Sequence, residues 1–343
     1  MKWREPAGNC RSRVQARSRL LALSQTSDLA PAEATIDVVV LNWNGGQMLV
    51  RCLETLGAQT IRHNVIVVDN GSTDSSLELV GERFPGVRQL PLLENRGFTV
   101  GNNRGVAEGS AQYVVLANND IECDPAFLER LTAPFSDEGV GMVAALLLRP
   151  GRQVIDSYGL ELDRTLAAFP RFGGRSYDPD RLHEDGLAMP TGAAAAYRRD
   201  AFEGVGGFDE ALFAYMEDVD LGLRLRAEGW RSGGAPDALA VHLGSASFGR
   251  RSRGQVEFGG VARGYMLRKY GVLGHDLVTA AMAVAAETAA VAAEVVLGRD
   301  LAALRGRVAG WNRAAGVRAE APPDAINDSI GLLGSLRRRR AGL

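Results

Sequence analysis

Hydrophobic residues in the first third of the chain occur in short continuous runs, separated by polar turns and by segments with helical periodicity. Four runs predict strands, at Ile36 to Leu41, Asn64 to Asp69, Val87 to Leu93 and Tyr113 to Ala117. Helices are predicted between them, at Gln47 to Gln59, Ser75 to Phe84 and Val100 to Gly109. Continuous apolar runs are typical of strands buried on both faces. The alternation therefore predicts an α/β fold with a mostly parallel, Rossmann-like sheet and helices on both faces.

The pattern is less regular in the second half. Residues Arg149 to Leu187 are rich in Gly, Pro and charge, which predicts loops and short strands beside a substrate cleft. Order returns at Thr191 to Tyr197 and in a helix predicted from Asp218 to Glu228. The Ala- and Val-rich segment Leu277 to Leu297 is nearly long enough to span a bilayer, but two glutamates interrupt it. We expect an amphipathic or packed helix there.

Composition excludes several classes of protein. With 46% hydrophobic and 23% charged residues among 343, the chain can bury a core and is not wholly disordered. The net charge of −2 gives no general attraction to nucleic acid. Cys10, Cys52 and Cys123 are odd in number and widely spaced, unlike a disulfide framework or a zinc cluster. We therefore expect a reducing, cytoplasmic location.

Polar residues follow two of the predicted strands. Asp69 ends the second strand, and Asn118-Asn119-Asp120 follows the fourth. In parallel sheets, such strand ends line the ligand crevice. Asp120 is thus a candidate to bind Mg²⁺ or Mn²⁺ together with substrate phosphates. Both stretches would also suit ordinary turns and helix caps, so the residues alone leave the choice open.

Three carboxylates, Glu217, Asp218 and Asp220, fall at the start of a predicted helix. Helix capping accounts for one or two of them. Asp218 is the candidate general base, with Glu217 orienting it and Asp220 paired with Arg224.

Two further side chains are weaker candidates. His242 follows a strand-like run and could complete a metal site with Asp120, although a lone histidine is more often structural. Trp230 offers an aromatic surface for a sugar, and would equally serve in the core.

Seven motifs, taken in order, resemble the family 2 inverting glycosyltransferases of the glycosyltransferase A fold. The resemblance covers about Ile36 to Tyr270 and is strongest to the rhamnosyltransferase-like branch, which builds bacterial surface polysaccharides. The motifs are Val40-Leu41-Asn42-Trp43-Asn44, Val67-Val68-Asp69-Asn70-Gly71-Ser72-Thr73-Asp74, Asn95-Arg96-Gly97-Phe98, Gly101-Asn102-Asn103, Asn118-Asn119-Asp120, Gly206-Gly207-Phe208-Asp209 and Glu217-Asp218-Val219-Asp220-Leu221.

The resemblance implies a role for each matching residue. The donor nucleotide sugar would be bound by Asn42, Trp43, Asn44, Asp69, Asn95, Gly97, Asn102 and Asn119. Asp218 would be the catalytic base, with Gly192, Ala193 and Trp230 at the acceptor site. Asp120, with His242, would hold Mg²⁺ or Mn²⁺, although the family's acidic metal motif keeps only one carboxylate here. The implied reaction is one in-line displacement with inversion at the anomeric carbon.

The resemblance also implies partners and a domain organisation. The expected donor is dTDP-rhamnose, with UDP-sugars next, and the acceptor is a glycan or a polyprenyl-linked sugar. The protein would be cytoplasmic, with peripheral contact to an anionic membrane. We expect a flexible basic leader (1–34), a catalytic domain (35–272, with a nucleotide-sugar half at 35–122 and an acceptor half at 123–272), a C-terminal helical extension (273–316) and a flexible Arg-rich tail (317–343).

A sugar nucleotidyltransferase and a non-catalytic binding homologue are the alternatives to a glycosyltransferase. A sugar nucleotidyltransferase should carry a cation in the Gly-rich loop after its first strand, but Asn42-Trp43-Asn44-Gly45-Gly46 has none. A non-catalytic glycan- or nucleotide-binding homologue would be favoured by loss of Asp120 or Asp218, and both are present. The sequence therefore favours a catalytic glycosyltransferase.

Overall fold

A computed structural model describes residues 35–182, 187–244, 253–298 and 300–341. The predicted leader at 1–34 and Cys10 lie outside the described residues. The residues that are described form one compact unit, so the catalytic domain and the helical extension are not separate bodies. Cys52 and Cys123 are free and buried.

The chain alternates strands and helices, as predicted for its first half. The strands are β1 (Ile36–Asn42), β2 (Asn64–Asp69), β3 (Arg88–Pro91), β4 (Tyr113–Asn118), β5 (Ile121–Cys123), β6 (Val140–Leu148), β7 (Ile155–Tyr158), β8 (Leu160–Leu162), β9 (Ala168–Pro170), β10 (Ala194–Arg198) and β11 (Arg231–His242). The helices are α1 (Gly46–Gly57), α2 (Ser76–Arg83), α3 (Gly97–Ala107), α4 (Phe127–Thr132), α5 (Arg199–Gly204), α6 (Glu217–Ala227), α7 (Arg253–Lys269), α8 (Leu277–Gly298), α9 (Ala302–Arg313) and α10 (Leu332–Ala341).

One large sheet runs through both halves of the catalytic domain, in the order β3-β2-β1-β4-β10-β6-β11-β5, with β7 beside β6. The first four strands are parallel, as are β6 and β11, whereas β10, β5 and β7 pair antiparallel with their neighbours. The predicted α/β fold is confirmed, and every antiparallel pair of this sheet includes at least one strand from the second half. The register places Asn42 beside Asp69 and Leu41 beside Asn118, so these strand ends meet at one edge.

Both faces of the sheet are covered by helices. On one face α1, α2 and α4 bury residues such as Leu53 and Phe127. On the other face α3, α5, α6 and α7 form a second core that includes Phe202 and Tyr265. Burial on both sides explains why these strands read as continuous apolar runs.

The helix α3 packs unusually close to β1 and β2 at Gly105. A Cβ there would lie 2.3 Å from Cγ1 of Val39 and 2.7 Å from Cγ2 of Val68. Branched valine side chains have little freedom to move away. We expect Gly105→Ala to lower the free energy of unfolding by about 1–3 kcal/mol, measured by urea denaturation. Gly57→Ala is the matched control, since nothing lies within 4 Å of a Cβ there; equal effects of the two substitutions would contradict this packing.

The predicted helical extension is present as α8 and α9. The segment predicted as a flexible tail includes α10 and contacts the rest of the protein. The backbone N–H of Asn327 donates to the carbonyl of Leu162 at 2.7 Å. Arg339 of α10 donates to Glu287 at 2.9 Å. Within the described part of 317–343, Arg339 therefore pairs with a buried carboxylate.

Candidate active site

A cavity of about 320 Å³ opens where the strand ends meet. It is lined by ten of the residues predicted to act at the site: Trp43, Asn95, Gly97, Asn119, Asp120, Gly192, Ala193, Glu217, Asp218 and His242. These residues come from six separate stretches of sequence. The topology therefore brings the predicted donor, metal, acceptor and catalytic residues together.

Two predicted donor residues lie behind the cavity wall rather than in its lining. The side-chain amide of Asn42 donates to Asp69 Oδ1 at 2.9 Å, and Asn119 donates to Asn42 Oδ1 at 2.8 Å. Asp69 Oδ2 accepts the backbone N–H of Ser72 at 3.0 Å. Asn42 and Asp69 are fully buried, so this network joins the ends of β1, β2 and β4. In the structure, these hydrogen bonds hold the strand ends next to Asn119 and Asp120 in place.

Asn44 and Asn102 also lie outside the cavity lining. Asn44 is in the left-handed region with φ of 53°, and its Oδ1 accepts the backbone N–H of Thr73 at 2.8 Å. Asn102 donates to the carbonyl of Phe98, one turn earlier in α3, at 3.0 Å. Both side chains hold local backbone, which the sequence motif alone could not distinguish from nucleotide binding.

A second polar network shapes the wall at the start of α3. Asn70 donates to Asn95 Oδ1 at 3.0 Å and to the carbonyl of Gly97 at 3.1 Å. Gly97 has φ of 87°, and a Cβ there would lie 2.5 Å from the carbonyl oxygen of Phe213. Only glycine fits this position. Asn70 itself lines the cavity, although sequence reasoning did not select it.

Trp230, predicted at the acceptor site, lies outside the cavity lining. It directly precedes β11, whereas His242 ends that twelve-residue strand on the cavity side. A Cβ at Gly141 would lie 2.8 Å from Trp230, which shows that the indole packs over the far end of β6. The residue therefore serves the core.

Asp120 and His242, the two predicted metal ligands, do meet. His242 Nε2 lies 3.5 Å from Asp120 Oδ2, and His242 Nδ1 lies 2.8 Å from Asp156 Oδ2. Burial opposes the charged form of His242, but its hydrogen bonds to Asp120 and Asp156 outweigh this and raise its pKa to about 9. His242 is therefore protonated at neutral pH in this state. Asp156 was missed because it lies in the irregular segment, which carries no motif.

Asp120 has one carboxylate oxygen that makes no hydrogen bond. Asp120 Oδ1 is buried and has no hydrogen-bond partner. A buried carboxylate oxygen is costly unless something compensates it, and a divalent cation would do so. The described residues contain no group of three or more His, Cys, Asp or Glu that could hold a metal alone. The donor set therefore fits a cation that takes its remaining ligands from substrate oxygens.

Asp218 is held rigidly at the opposite side of the lining. Its Oδ2 accepts the backbone N–H of Gly192 at 2.9 Å, and its Oδ1 accepts that of Val219 at 2.8 Å. Glu217 beside it has a buried Oε2 with no hydrogen-bond partner. Burial raises the pKa of both carboxyl groups, and the charge of Asp218 raises that of Glu217 further. A raised pKa suits groups that exchange protons near neutral pH.

The chain enters α6 through strained backbone. Tyr215 and Met216, directly before Glu217, have φ of 71° and 62°. Non-glycine residues in this region cost about 1 kcal/mol or more each, and such strain concentrates at functional sites. It persists here because the first turn of α6 is firmly held.

Ion pairs of Asp220 hold the first turn of α6 in place. Its Oδ1 lies 2.6 Å from Lys269 Nζ of α7, and its Oδ2 accepts Arg224 Nε at 2.8 Å. The predicted pairing of Asp220 with Arg224 is therefore confirmed. Lys269 also lies 2.7 Å from Asp209 Oδ2.

Sequence reasoning missed the aromatic and amide side chains that close the cavity. Phe213, Tyr215 and Gln255 all line it. Phe213 stacks on Phe258 of α7 with ring centroids 4.6 Å apart. The aromatic residues just before Glu217 were a usable signal, whereas nothing in the sequence marked Gln255.

Comparison with known sequences agrees with this geometry. The family described as glycosyl transferase family 2 matches residues 37–206. N-acetylglucosaminyl-diphospho-decaprenol L-rhamnosyltransferase of Mycobacterium tuberculosis is 34% identical over 239 residues, covering 63% of this chain and 78% of that protein. Pre-mycofactocin glycosyltransferase of the same species is 30% identical over 216 residues, covering 62% of this chain and 43% of that protein.

Two solved structures share the fold. The mannosyltransferase PcManGT from Pyrobaculum calidifontis, in complex with GDP-Man and Mn²⁺, has a TM-score of 0.50 at 20% identity, covering 89% of this chain and 92% of that chain. GalNAc-T7 with UDP, GalNAc and Mn²⁺ has a TM-score of 0.57 at 14% identity, covering 76% and 51%. The chain belongs to glycosyl transferase family 2, and it is a glycosyltransferase.

Proposed function

We propose that this glycosyltransferase moves rhamnose from dTDP-rhamnose to a lipid-linked N-acetylglucosamine acceptor, with inversion and with a divalent cation. The transferred sugar and the acceptor follow the name of the mycobacterial relative, which is 34% identical to this chain. The choice of dTDP as the carrier follows from the family resemblance of the sequence motifs. UDP-sugars are the next candidate donors. The reaction would take place at the cytoplasmic face of the membrane, where a lipid-linked acceptor is presented.

One observation carries the proposal. A single cavity combines an adjacent carboxylate pair, Glu217 and Asp218, with a separate carboxylate, Asp120, that has a buried oxygen without a hydrogen-bond partner. Sugar transfer needs these two functions at once, a base for the acceptor and charge compensation for the leaving diphosphate. Glycan binding without catalysis would need neither.

The residues perform the transfer as follows. Asp218 accepts the proton of the acceptor hydroxyl while that oxygen forms a bond to the anomeric carbon. The bond from that carbon to the diphosphate oxygen breaks on the opposite face, so the configuration inverts. The hydrogen bonds from Gly192 and Val219 hold Asp218 in one orientation during the step.

Asp120 and a deprotonated His242 would hold Mg²⁺ or Mn²⁺. The cation would neutralise charge on the departing nucleoside diphosphate. The ligand role of His242 requires loss of the proton on Nε2, the nitrogen that faces Asp120. Asp156, at 2.8 Å from Nδ1, would then accept the remaining N–H and keep the ring oriented.

The raised pKa values of the carboxyl pair predict the pH dependence. A base must be ionised to act, so activity falls as pH drops through a raised pKa. We expect kcat/KM to decline below neutral pH, earlier than an ordinary aspartate with pKa about 3.9 would allow. Burial, and not the charge of Glu217, raises the pKa of Asp218, so Glu217→Gln should leave this acidic limb in place. Glu228→Gln, an exposed change directly after the same helix, is the control; a limb that moves to lower pH in Glu217→Gln alone would assign it to Glu217 instead of Asp218.

A nucleotide-release assay tests the proposed function. The purified chain would be offered dTDP-rhamnose and a panel of UDP- and GDP-sugars, with Mg²⁺, Mn²⁺ or EDTA. We expect metal-dependent release of dTDP as slow donor hydrolysis, even without acceptor. Release from a different donor would correct the sugar alone. Absence of both release and nucleotide binding would support a non-catalytic homologue.

A further inference from the structure

The exposed hydrophobic side chains of this protein are concentrated in its C-terminal helices. Ten large hydrophobic residues are exposed among the described residues, and nine of them lie between Leu273 and Leu333. The tenth is Leu93, on the loop before α3. Scattered exposed hydrophobics need no explanation, but a patch of this kind marks an interaction surface.

The exposed residues of α8 share one face of that helix. On α8 the exposed positions recur every three or four residues, and they include Leu277, Val278, Val284 and Val296. Leu277 is 89% exposed and Val296 is 75% exposed, at the two ends of the helix. At 1.5 Å per residue the stripe is about 30 Å long. On the neighbouring α9, Leu304 and Val308 are exposed as well. We call these six residues the C-terminal apolar surface.

We propose that the C-terminal apolar surface docks on the interface of an anionic phospholipid bilayer. The charge distribution favours this partner. Residues 253–343 carry 13 Arg and Lys against 8 Asp and Glu, whereas residues 35–252 carry 20 against 30. Arg305 and Arg313 on α9 and Arg337 on α10 are exposed. Basic residues beside an apolar helix face are the combination that binds anionic lipid.

A second copy of the chain is a poorer occupant. A two-fold dimer would place the same surface of both copies together. The surplus of positive charge would then face itself, at a cost that an anionic bilayer avoids.

The helix lies along the surface of the bilayer rather than crossing it. By length and composition, Leu277–Val296 is sufficient to span a membrane. However, the other face of α8 is buried in the protein, and Glu287 on that face pairs with Arg263, Arg307 and Arg339 at 2.8–2.9 Å. Insertion would break these ion pairs and leave a carboxylate in hydrocarbon. The contact is therefore interfacial, through the exposed face only.

Vesicle flotation of the full chain tests this proposal without any sugar nucleotide, so its outcome is independent of the proposed reaction. The vesicles would contain phosphatidylcholine alone or with phosphatidylglycerol. We expect binding to the anionic vesicles that weakens with salt. The Val284→Glu/Val296→Glu protein should bind at least about tenfold less, because two charges would enter the apolar contact. Leu93→Glu is the matched control and should bind like the unchanged protein.

Two results would overturn the proposal. One is unchanged flotation of the double variant with its fold intact by circular dichroism; if the glutamates disturb the fold, Val284→Ser/Val296→Ser replaces them in the same comparison. The other is a protein that does not bind vesicles but forms a dimer in light scattering, with the double variant remaining a monomer. That outcome would assign the surface to a second copy.

Discussion

Replacing Asp218 with Asn is expected to lower kcat by about 10³-fold, equivalent to about 4 kcal/mol of activation free energy. The substitution keeps the size of the side chain, and an amide oxygen can still accept the N–H of Gly192 or Val219. It removes the capacity to take the acceptor's proton, together with one of the two backbone hydrogen bonds. Donor affinity should remain within about threefold, since Asp218 acts on the acceptor. Transfer kinetics and donor titration by calorimetry measure the two effects separately.

Glu228→Gln provides the matched control for that substitution. It changes a carboxylate to an amide at the other end of α6, where the side chain is exposed. Its kcat should remain within about twofold of the unchanged protein. If Asp218→Asn retained full turnover, another group, with Glu217 the first to examine, would have to be the base.

Replacing Asp120 with Asn is expected to abolish stimulation by Mg²⁺ or Mn²⁺ and to lower kcat/KM for the donor by about 10²–10³-fold. The lost charge is the carboxylate whose Oδ1 is buried without a partner. A readout besides activity is binding of dTDP by calorimetry, which should be stronger with Mn²⁺ for the unchanged protein and insensitive to Mn²⁺ for the variant.

Glu122→Gln is the control for Asp120→Asn. It lies two residues away on β5, and its carboxylate contacts Arg51 at 4.0 Å rather than the cavity. Metal stimulation should survive in this protein. Equal stimulation of Asp120→Asn by Mn²⁺ would show that the cation, if it binds, is held by other groups.

Much of the fold could be predicted from the sequence, because strands buried on both faces must be continuously apolar. The bounds of β2 were predicted to the residue, and those of β1 and β4 to within one residue. The helix α6 began at Glu217, one residue before the prediction. The structure of the C-terminal segment was harder to predict. Its arginines suggest a solvated tail by composition, and nothing local in the sequence shows that Arg339 pairs with Glu287, 52 residues earlier.

The site could be predicted only in part, for a related reason. A motif shows that a polar residue is present but not whether its hydrogen bonds are already used. Asn42 and Asp69 use theirs within the buried network at the strand ends, whereas Asp120 and Glu217 each have a buried oxygen without a hydrogen-bond partner. The remaining site residues depend on long-range contacts. Asp156 bonds to His242, 86 residues away in the sequence, and Gln255 of α7 lines the cavity.

The proposed reaction transfers a sugar from a nucleotide donor to a lipid-linked acceptor. The most direct test is to incubate the full chain with dTDP-[¹⁴C]rhamnose, Mg²⁺ and polyprenyl-diphospho-N-acetylglucosamine, and to follow radioactivity into the organic-soluble lipid. We predict a labelled lipid disaccharide that forms with the unchanged protein and falls by about 10³-fold with Asp218→Asn. Nucleotide binding without any labelled product, for rhamnose and for the UDP-sugars alike, would contradict the claim.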